Sequence, residues 1–152
     1  MVRFLADSNV GRLARWLRAL GYDAEYEPRL PDPAIVARAL AEDRVLLTQD
    51  ADMTRRRVIG DGSVRAVLLR GDRIEEQLRQ VVAELGLTPE RALSRCLDCN
   101  VELEPRAKAA VSAGLPPHVR ATQERFSQCP RCSRVYWPGT HWRRMRERIA
   151  AL

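Results

Sequence analysis

The hydrophobic and polar positions of the first 93 residues alternate between two patterns. Short apolar runs recur, and stretches of helical periodicity separate them. Val2-Arg3-Phe4-Leu5-Ala6 and Val45-Leu46-Leu47 suit strands buried on both faces, although such a run alone does not exclude a buried helix segment. Helix-like sequence on both sides of the second run favours a strand in a helix-covered parallel sheet. Asn9 to Leu20 read as a helix, with Val10, Leu13, Trp16, Leu17 and Leu20 inward. Arg12, Arg15 and Arg18 lie off that stripe. Asn9 is the expected N-cap and Gly21 the terminating glycine. A short strand is expected at 23–26 and a turn at Pro28-Arg29-Leu30-Pro31. Asp32-Pro33 then starts a helix, with Asp as N-cap and Ile35, Val36, Ala39 and Leu40 apolar. After the strand at 44–48, Ala51 to Val58 predict a short helix broken by Gly60-Asp61-Gly62. Val64 to Leu69 predict a strand. Asp72 to Leu85 predict a helix with Ile74, Leu78, Val81, Val82 and Leu85 inward, and Asp72 as its cap. Thr88-Pro89 opens one more short helix. The order is that of a small α/β domain with a mainly parallel sheet flanked by helices.

The pattern changes after Leu93. Cys96-Leu97-Asp98-Cys99 and Cys129-Pro130-Arg131-Cys132 are two C-x2-C knuckles, separated by residues 100–128. Each knuckle can present two thiolates to one ion, and together they complete a tetrahedral four-thiolate zinc site. Structural zinc also supplies stability that a small module lacks from its own core. A helix is expected around Arg106–Val111, and a closing helix from Thr140, as N-cap, to Ala150. The chain thus divides into an α/β unit over 1–93 and a zinc ribbon over 94–152.

Composition adds one thing to this picture. The net charge is +6 on 152 residues, and its distribution is uneven. Residues 1–93 carry 15 Arg against 15 acids, whereas residues 94–152 carry 11 Lys or Arg against 5 acids. The whole excess belongs to the ribbon, a basic module on a neutral one. No stretch approaches the roughly 20 apolar residues of a membrane span, and the N-terminus shows no signal-peptide pattern. A soluble, cytoplasmic protein is expected. In that compartment four cysteines point to metal rather than disulfides.

Chemistry gathers where the strands end. Val2–Ala6 runs into Asp7, and the 44–48 strand runs into Asp50 and Asp52. Ligands of open α/β sheets bind beyond the carboxyl ends of the strands. Asp32 joins this set if its helix begins at the same edge; helix capping is its other reading. Gathered carboxylates call for a cation, and hard oxygen ligands suit Mg²⁺ or Mn²⁺, with Asp7 and Asp50 the principal ligands. Glu42, Asp72 and Glu75 are weaker candidates. Ser8 has no evident His base, and His118 and His141 both lie in the ribbon half. No glycine-rich phosphate loop is present.

The closing helix concentrates Arg143, Arg144, Arg146 and Arg148, with Tyr136, Trp137 and Trp142 nearby. Arginine interleaved with aromatics holds single-stranded nucleic acid by phosphate contact and stacking. The aromatics could equally pack the ribbon on the α/β unit, the favoured reading for Tyr136 and Trp137. The candidate nucleic-acid contacts are Arg12, Arg15, His141, Arg143 and Arg144.

The motifs Phe4-Leu5-Ala6-Asp7-Ser8, Gly11-Arg12-Leu13-Ala14-Arg15-Trp16-Leu17-Arg18 and Leu20-Gly21-Tyr22-Asp23 resemble the Mut-seven C-terminal RNase domain family. So do Leu46-Leu47-Thr48-Gln49-Asp50, Cys96-Leu97-Asp98-Cys99-Asn100 and Val135-Tyr136-Trp137-Pro138-Gly139-Thr140-His141-Trp142. The resemblance covers nearly the whole chain. It implies a PIN-like nuclease fold fused to a zinc ribbon, and a metal-dependent ribonuclease with Asp7, Asp32, Asp50 and Asp52 as its catalytic carboxylates. The family more often has an apolar residue at position 9 and Arg at position 49. The expected substrate is single-stranded or structured RNA. The competing reading is a non-catalytic RNA-binding module of an RNA-processing or translation complex. A phosphoryl-accepting receiver domain is disfavoured, since the only lysine is Lys108, in the ribbon. A haloacid-dehalogenase-type phosphatase would want Asp-x-Asp where Asp7-Ser8-Asn9 stands.

Overall fold

Phe4, Leu5 and Ala6 are all fully buried, because the strand they form has helices over both faces. The computed structural model describes residues 1–152. Its first part runs β1 Phe4–Ala6, α1 Gly11–Ala19, β2 Ala24–Tyr26, α2 Asp32–Glu42, β3 Val45–Thr48, α3 Ala51–Thr54, α4 Arg57–Gly60, β4 Ala66–Leu68 and α5 Ile74–Leu85. The four strands make one sheet in the order β2-β1-β3-β4, with every pair parallel. Side chains alternate between its faces. Phe4, Ala6, Val45 and Leu47 pack with α1 and α5 residues such as Leu13, Leu17, Leu78 and Val81. Leu5 and Leu46 pack on the other face with Ile35, Val36 and Ala39 of α2. The apolar runs therefore read as buried parallel strands, as expected.

The second part runs β5 Glu104–Arg106, α6 Lys108–Val111, a 3₁₀ turn at Ser112–Gly114, α7 Pro117–Thr122, β6 Phe126–Gln128, β7 Val135–Tyr136 and α8 Thr140–Ala150. Its three strands form an antiparallel sheet, β5-β6-β7. Leu97 and, from α8, Met145 and Ile149 enter the main core beside Leu17 and Leu78. Arg148 lies over the Trp16 ring at 4.8 Å and pairs with Glu75. No helix is long and apolar enough to cross a membrane.

Several expectations shift. The cap of α1 is Val10 rather than Asn9, and the caps of α2 and α5 are Pro31 and Arg73 rather than Asp32 and Asp72. Gly139, not Thr140, caps α8. The expected helix over 51–58 splits into two single turns. Turns replace the helix expected after Thr88-Pro89. Arg106 belongs to β5, so the insertion helix begins at Lys108.

Arg18 departs furthest from expectation. It is buried, donating to Ala24 O at 2.8 Å and to Leu97 O at 2.9 Å. Asn100 completes the joint. Its Oδ1 accepts from Ala24 N at 3.0 Å, and its Nδ2 donates to Asp23 at 2.7 Å and to Glu25 at 3.0 Å. Ala24 lies on an outer strand, so neither peptide group has a further strand to pair with. A side chain from α1 and one from the ribbon satisfy them instead. Asp23 also accepts from Arg44 at 2.7 Å. Burial pushes the Asp23 carboxyl up, but the Arg44 and Asn100 hydrogen bonds outweigh it and hold the group below its usual range.

Asn100→Ala is expected to cost about 1–3 kcal/mol, the penalty of leaving buried polar partners unmade. Urea unfolding should show a lower midpoint at pH 7. Because the folded pKa of Asp23 is depressed, its contribution is full above the ordinary aspartate value and is lost as pH falls through the folded value. Asp23→Asn should accordingly flatten the acid limb of the stability curve; an unchanged limb would remove Asp23 from the joint.

Candidate active site and four-cysteine centre

The chain leaves β1, builds β2 on one side, and crosses to build β3 on the other. The carboxyl ends of β1 and β3 therefore flank the topological switch point, where open α/β sheets place ligands. Asp7 follows β1 and Asp50 follows β3. Thr48, fully buried at the end of β3, ties them together. Its hydroxyl donates to Asp7 Oδ2 at 2.9 Å and accepts from Asp50 N at 3.0 Å. Asp7 Oδ1 accepts from Ser8 N at 2.6 Å. Asp7 is nearly buried and locked at both oxygens. Asp50 Oδ1 accepts from Asp52 N at 2.9 Å, capping the turn of α3.

Asp32 opens α2 but makes no capping hydrogen bond with its side chain. Its carboxyl is raised above the ordinary range, chiefly by desolvation, with the charges of Asp7 and Asp50 adding to it. These three carboxylates thus share one electrostatic site. Asp52 stands outside: its side chain is 84% exposed and pairs with Arg55 at 3.0 Å. Glu42 is structural, bound by Arg38 and Arg44. Asp72 accepts weakly from Gln49, which also donates to Gly71 O at 3.0 Å. The Gln at position 49 thus fastens the loop that precedes α5.

Sequence reading missed Thr48 as a link between the two strand ends, and it missed Arg56. The Arg56 charge is felt at Asp32, and its buried Nε has no partner. Three consecutive arginines, Arg55-Arg56-Arg57, gave no sign of which one turns inward.

Beside this acidic edge lies an open cavity of about 450 Å³ lined by Ser8, Gly11, Arg12, Tyr26, Gln49 and Asp72. A Cβ at Gly11 would sit 2.7 Å from the Tyr26 ring, so a larger residue there would displace that ring. Arg12 also lines a second cavity, about 380 Å³, with Arg15, Trp16, His141, Arg144 and Arg148. Four of the five predicted RNA-contact residues therefore share one groove that leads away from the carboxylates. Arg143 is exposed but does not line it. Arg15 is paired with Asp98 and Arg148 with Glu75, while Arg12 and Arg144 are unpaired. His118 lies on α7, away from both cavities.

The four cysteines converge: their sulfurs all lie within 4.8 Å of one another. The two knuckles share one construction. Cys99 N points at Cys96 Sγ and Cys132 N at Cys129 Sγ, each at 3.4 Å. The next residues, Asn100 and Ser133, adopt left-handed backbone, with φ of 67 and 65. Peptide N–H groups aimed at sulfur stabilise thiolates, and four thiols without disulfides fit tetrahedral zinc. Tyr136 strengthens the centre, its hydroxyl 3.3 Å from Cys96 Sγ and 3.2 Å from Leu97 N.

A family model described as the Mut7-C RNAse domain matches residues 2–149. The chain belongs to this family. No curated protein and no solved structure matches it. The family's description as an RNAse domain suggests an RNase-related role, with RNA as the substrate class.

Two outcomes are expected of this arrangement. Because the Asp32 pKa is raised in the fold, stability falls as pH climbs from its unfolded value, near 3.9, through the folded one. Asp32→Asn should therefore raise the thermal midpoint at pH 7 without added Mg²⁺ or Mn²⁺, and the gain should vanish toward pH 3. An unchanged midpoint at pH 7 would show that the charged Asp32 carries no penalty in the fold. A thiol-directed chelator should release zinc in proportion to protein and lower the midpoint sharply; a midpoint indifferent to chelator would exclude a metal from the cysteines.

Proposed function

We propose that this Mut7-C chain is a metal-dependent ribonuclease of PIN-like type, cytoplasmic, with its hydrolytic site at the carboxyl ends of β1 and β3. The observation that carries this reading is the shared electrostatic site of Asp7, Asp32 and Asp50. Carboxylates gathered at a sheet's switch point favour a divalent cation of hard character. Asp7 and Asp50 would be the principal ligands of Mg²⁺ or Mn²⁺, with Asp32 completing the set and Asp52 serving as an outer carboxylate at the rim. Such an ion, when bound, activates water and neutralises charge on a phosphodiester. Thr48 fixes the orientation of Asp7 and anchors the backbone at Asp50. Arg56 offers a cation close to Asp32. Arg12, Arg15, His141 and Arg144 would hold RNA phosphates along the groove, with Arg143 outside it as a longer-range contact. Residues 1–93 carry the chemistry in this reading, and residues 94–152, with structural zinc, carry much of the grip on RNA.

The test is cleavage of labelled single-stranded RNA with and without Mg²⁺ or Mn²⁺, comparing the wild type with Asp7→Asn plus Asp50→Asn. Metal-dependent cleavage is expected to fall by at least about a hundredfold in the double variant. Cleavage that survives in it would move the site elsewhere. Salt-sensitive RNA binding without any cleavage would favour a binding module instead.

A further inference from the structure

A third cavity, about 400 Å³ in volume, lies between the second knuckle and the start of α8. Its walls include Leu93, Leu97, Tyr136, Trp137, Trp142 and Met145. Its charged lining is Arg95 and Arg134, with His141 and Thr140 beside them, and no carboxylate lines it. These cations are braced from behind. Arg95 donates to Gly21 O at 3.1 Å and to Asn100 O at 2.7 Å. Arg134 lies over the Tyr136 ring at 5.1 Å and donates to Asp98 at 2.6 Å. Trp137 is fixed by an edge contact with Phe126, ring centres 6.4 Å apart.

Two observations choose the occupant. The volume falls in the range of small-molecule pockets, and the lining combines apolar walls with a few convergent polar groups. A planar heterocycle suits such a site, since its faces stack on aromatic rings and its edge takes hydrogen bonds. The cavity also adjoins the arginine groove, with His141 and Met145 in the lining of both. That groove is lined by four arginines and His141, and two of them, Arg12 and Arg144, have no carboxylate partner, which suits adjoining phosphates. A ligand that places phosphate in one compartment and a flat base in the next is a nucleotide of an unpaired strand.

We propose that this cavity is a nucleobase subsite, which takes one unstacked base of single-stranded RNA while the adjoining phosphates lie in the arginine groove. It rests on the reading of this chain as an RNA-cleaving enzyme and gives that enzyme a preference for unpaired RNA. Trp137 and Trp142, the latter with Arg146 over its ring at 5.0 Å, supply stacking surface, and Arg134 and Arg95 give the lining its positive charge. A base held in a duplex cannot enter.

The experiment is a thermodynamic cycle on the full chain, without Mg²⁺ or Mn²⁺. Anisotropy measures the Kd of a short single-stranded RNA and of its abasic counterpart, for the wild type and for Trp142→Ala. Removing the bases should weaken wild-type binding roughly tenfold or more, within the range of base–aromatic stacking. Removing them should cost Trp142→Ala much less, so that the two changes couple. Trp142→Phe should retain most of the coupling. If Trp142→Ala fails to fold, wild-type tryptophan fluorescence decides: quenching by the complete strand and not by the abasic one supports the subsite. Additive losses, or equal quenching by both strands, overturn it. A parallel cleavage assay with metal separates the two ideas. Coupling without cleavage keeps the subsite and rejects the nuclease; cleavage without coupling does the reverse.

Discussion

An outer strand leaves one row of peptide groups without a neighbour, and at Ala24 that row is buried. The fully buried Ala24 offers an N–H and a C=O that water cannot reach. Each would cost a substantial fraction of the protein's net stability if left bare. Asn100 takes the N–H and Arg18 takes the C=O. Arg18 reaches onward to Leu97 and Asp98 inside the first knuckle. The sheet's edge and the metal-type centre are therefore one hydrogen-bonded object. The left-handed backbone at Asn100 makes the joint possible, because the chain must turn sharply after Cys99 to aim that amide at β2.

The acidic edge has the opposite economy. Asp7 and Asp50 are pinned by hydroxyl and peptide donors, and the start of α2 brings Asp32 into their field, where desolvation first and their charges second raise its carboxyl. A fold under selection for stability alone would not bring these charges together. Strain of this kind, kept where it can be relieved by a cation or a substrate, is a common mark of functional sites.

The layers were legible because buried parallel strands announce themselves as unbroken apolar runs, and Val45-Leu46-Leu47 did so. The knuckles were legible because thiolate spacing has few other uses. Helix starts were misread at Asn9, Asp32, Asp72 and Thr140 for a shared reason. Each is a good capping residue, but the chain's direction there is set by packing, and the cap falls one residue earlier or later. Arg18 was misread because periodicity weighs only apolar residues. It lies next to Leu17 on the stripe's flank, and only the ribbon's return across α1 buries it. Long-range partners such as Asn100 and Ala24 leave no local trace in the sequence.

The Asn100–Ala24 bond also has a consequence in time. During synthesis the last strand of the sheet, Ala66–Leu68, emerges well before Asn100, and the second pair of cysteines emerges later still. Through that interval the outer strand at 24–26 is a bare template, able to recruit the wrong strand from another nascent chain. The arrival of the second knuckle completes the four-cysteine cluster, and a metal taken up there would tie closure of the sheet's edge to folding of the ribbon.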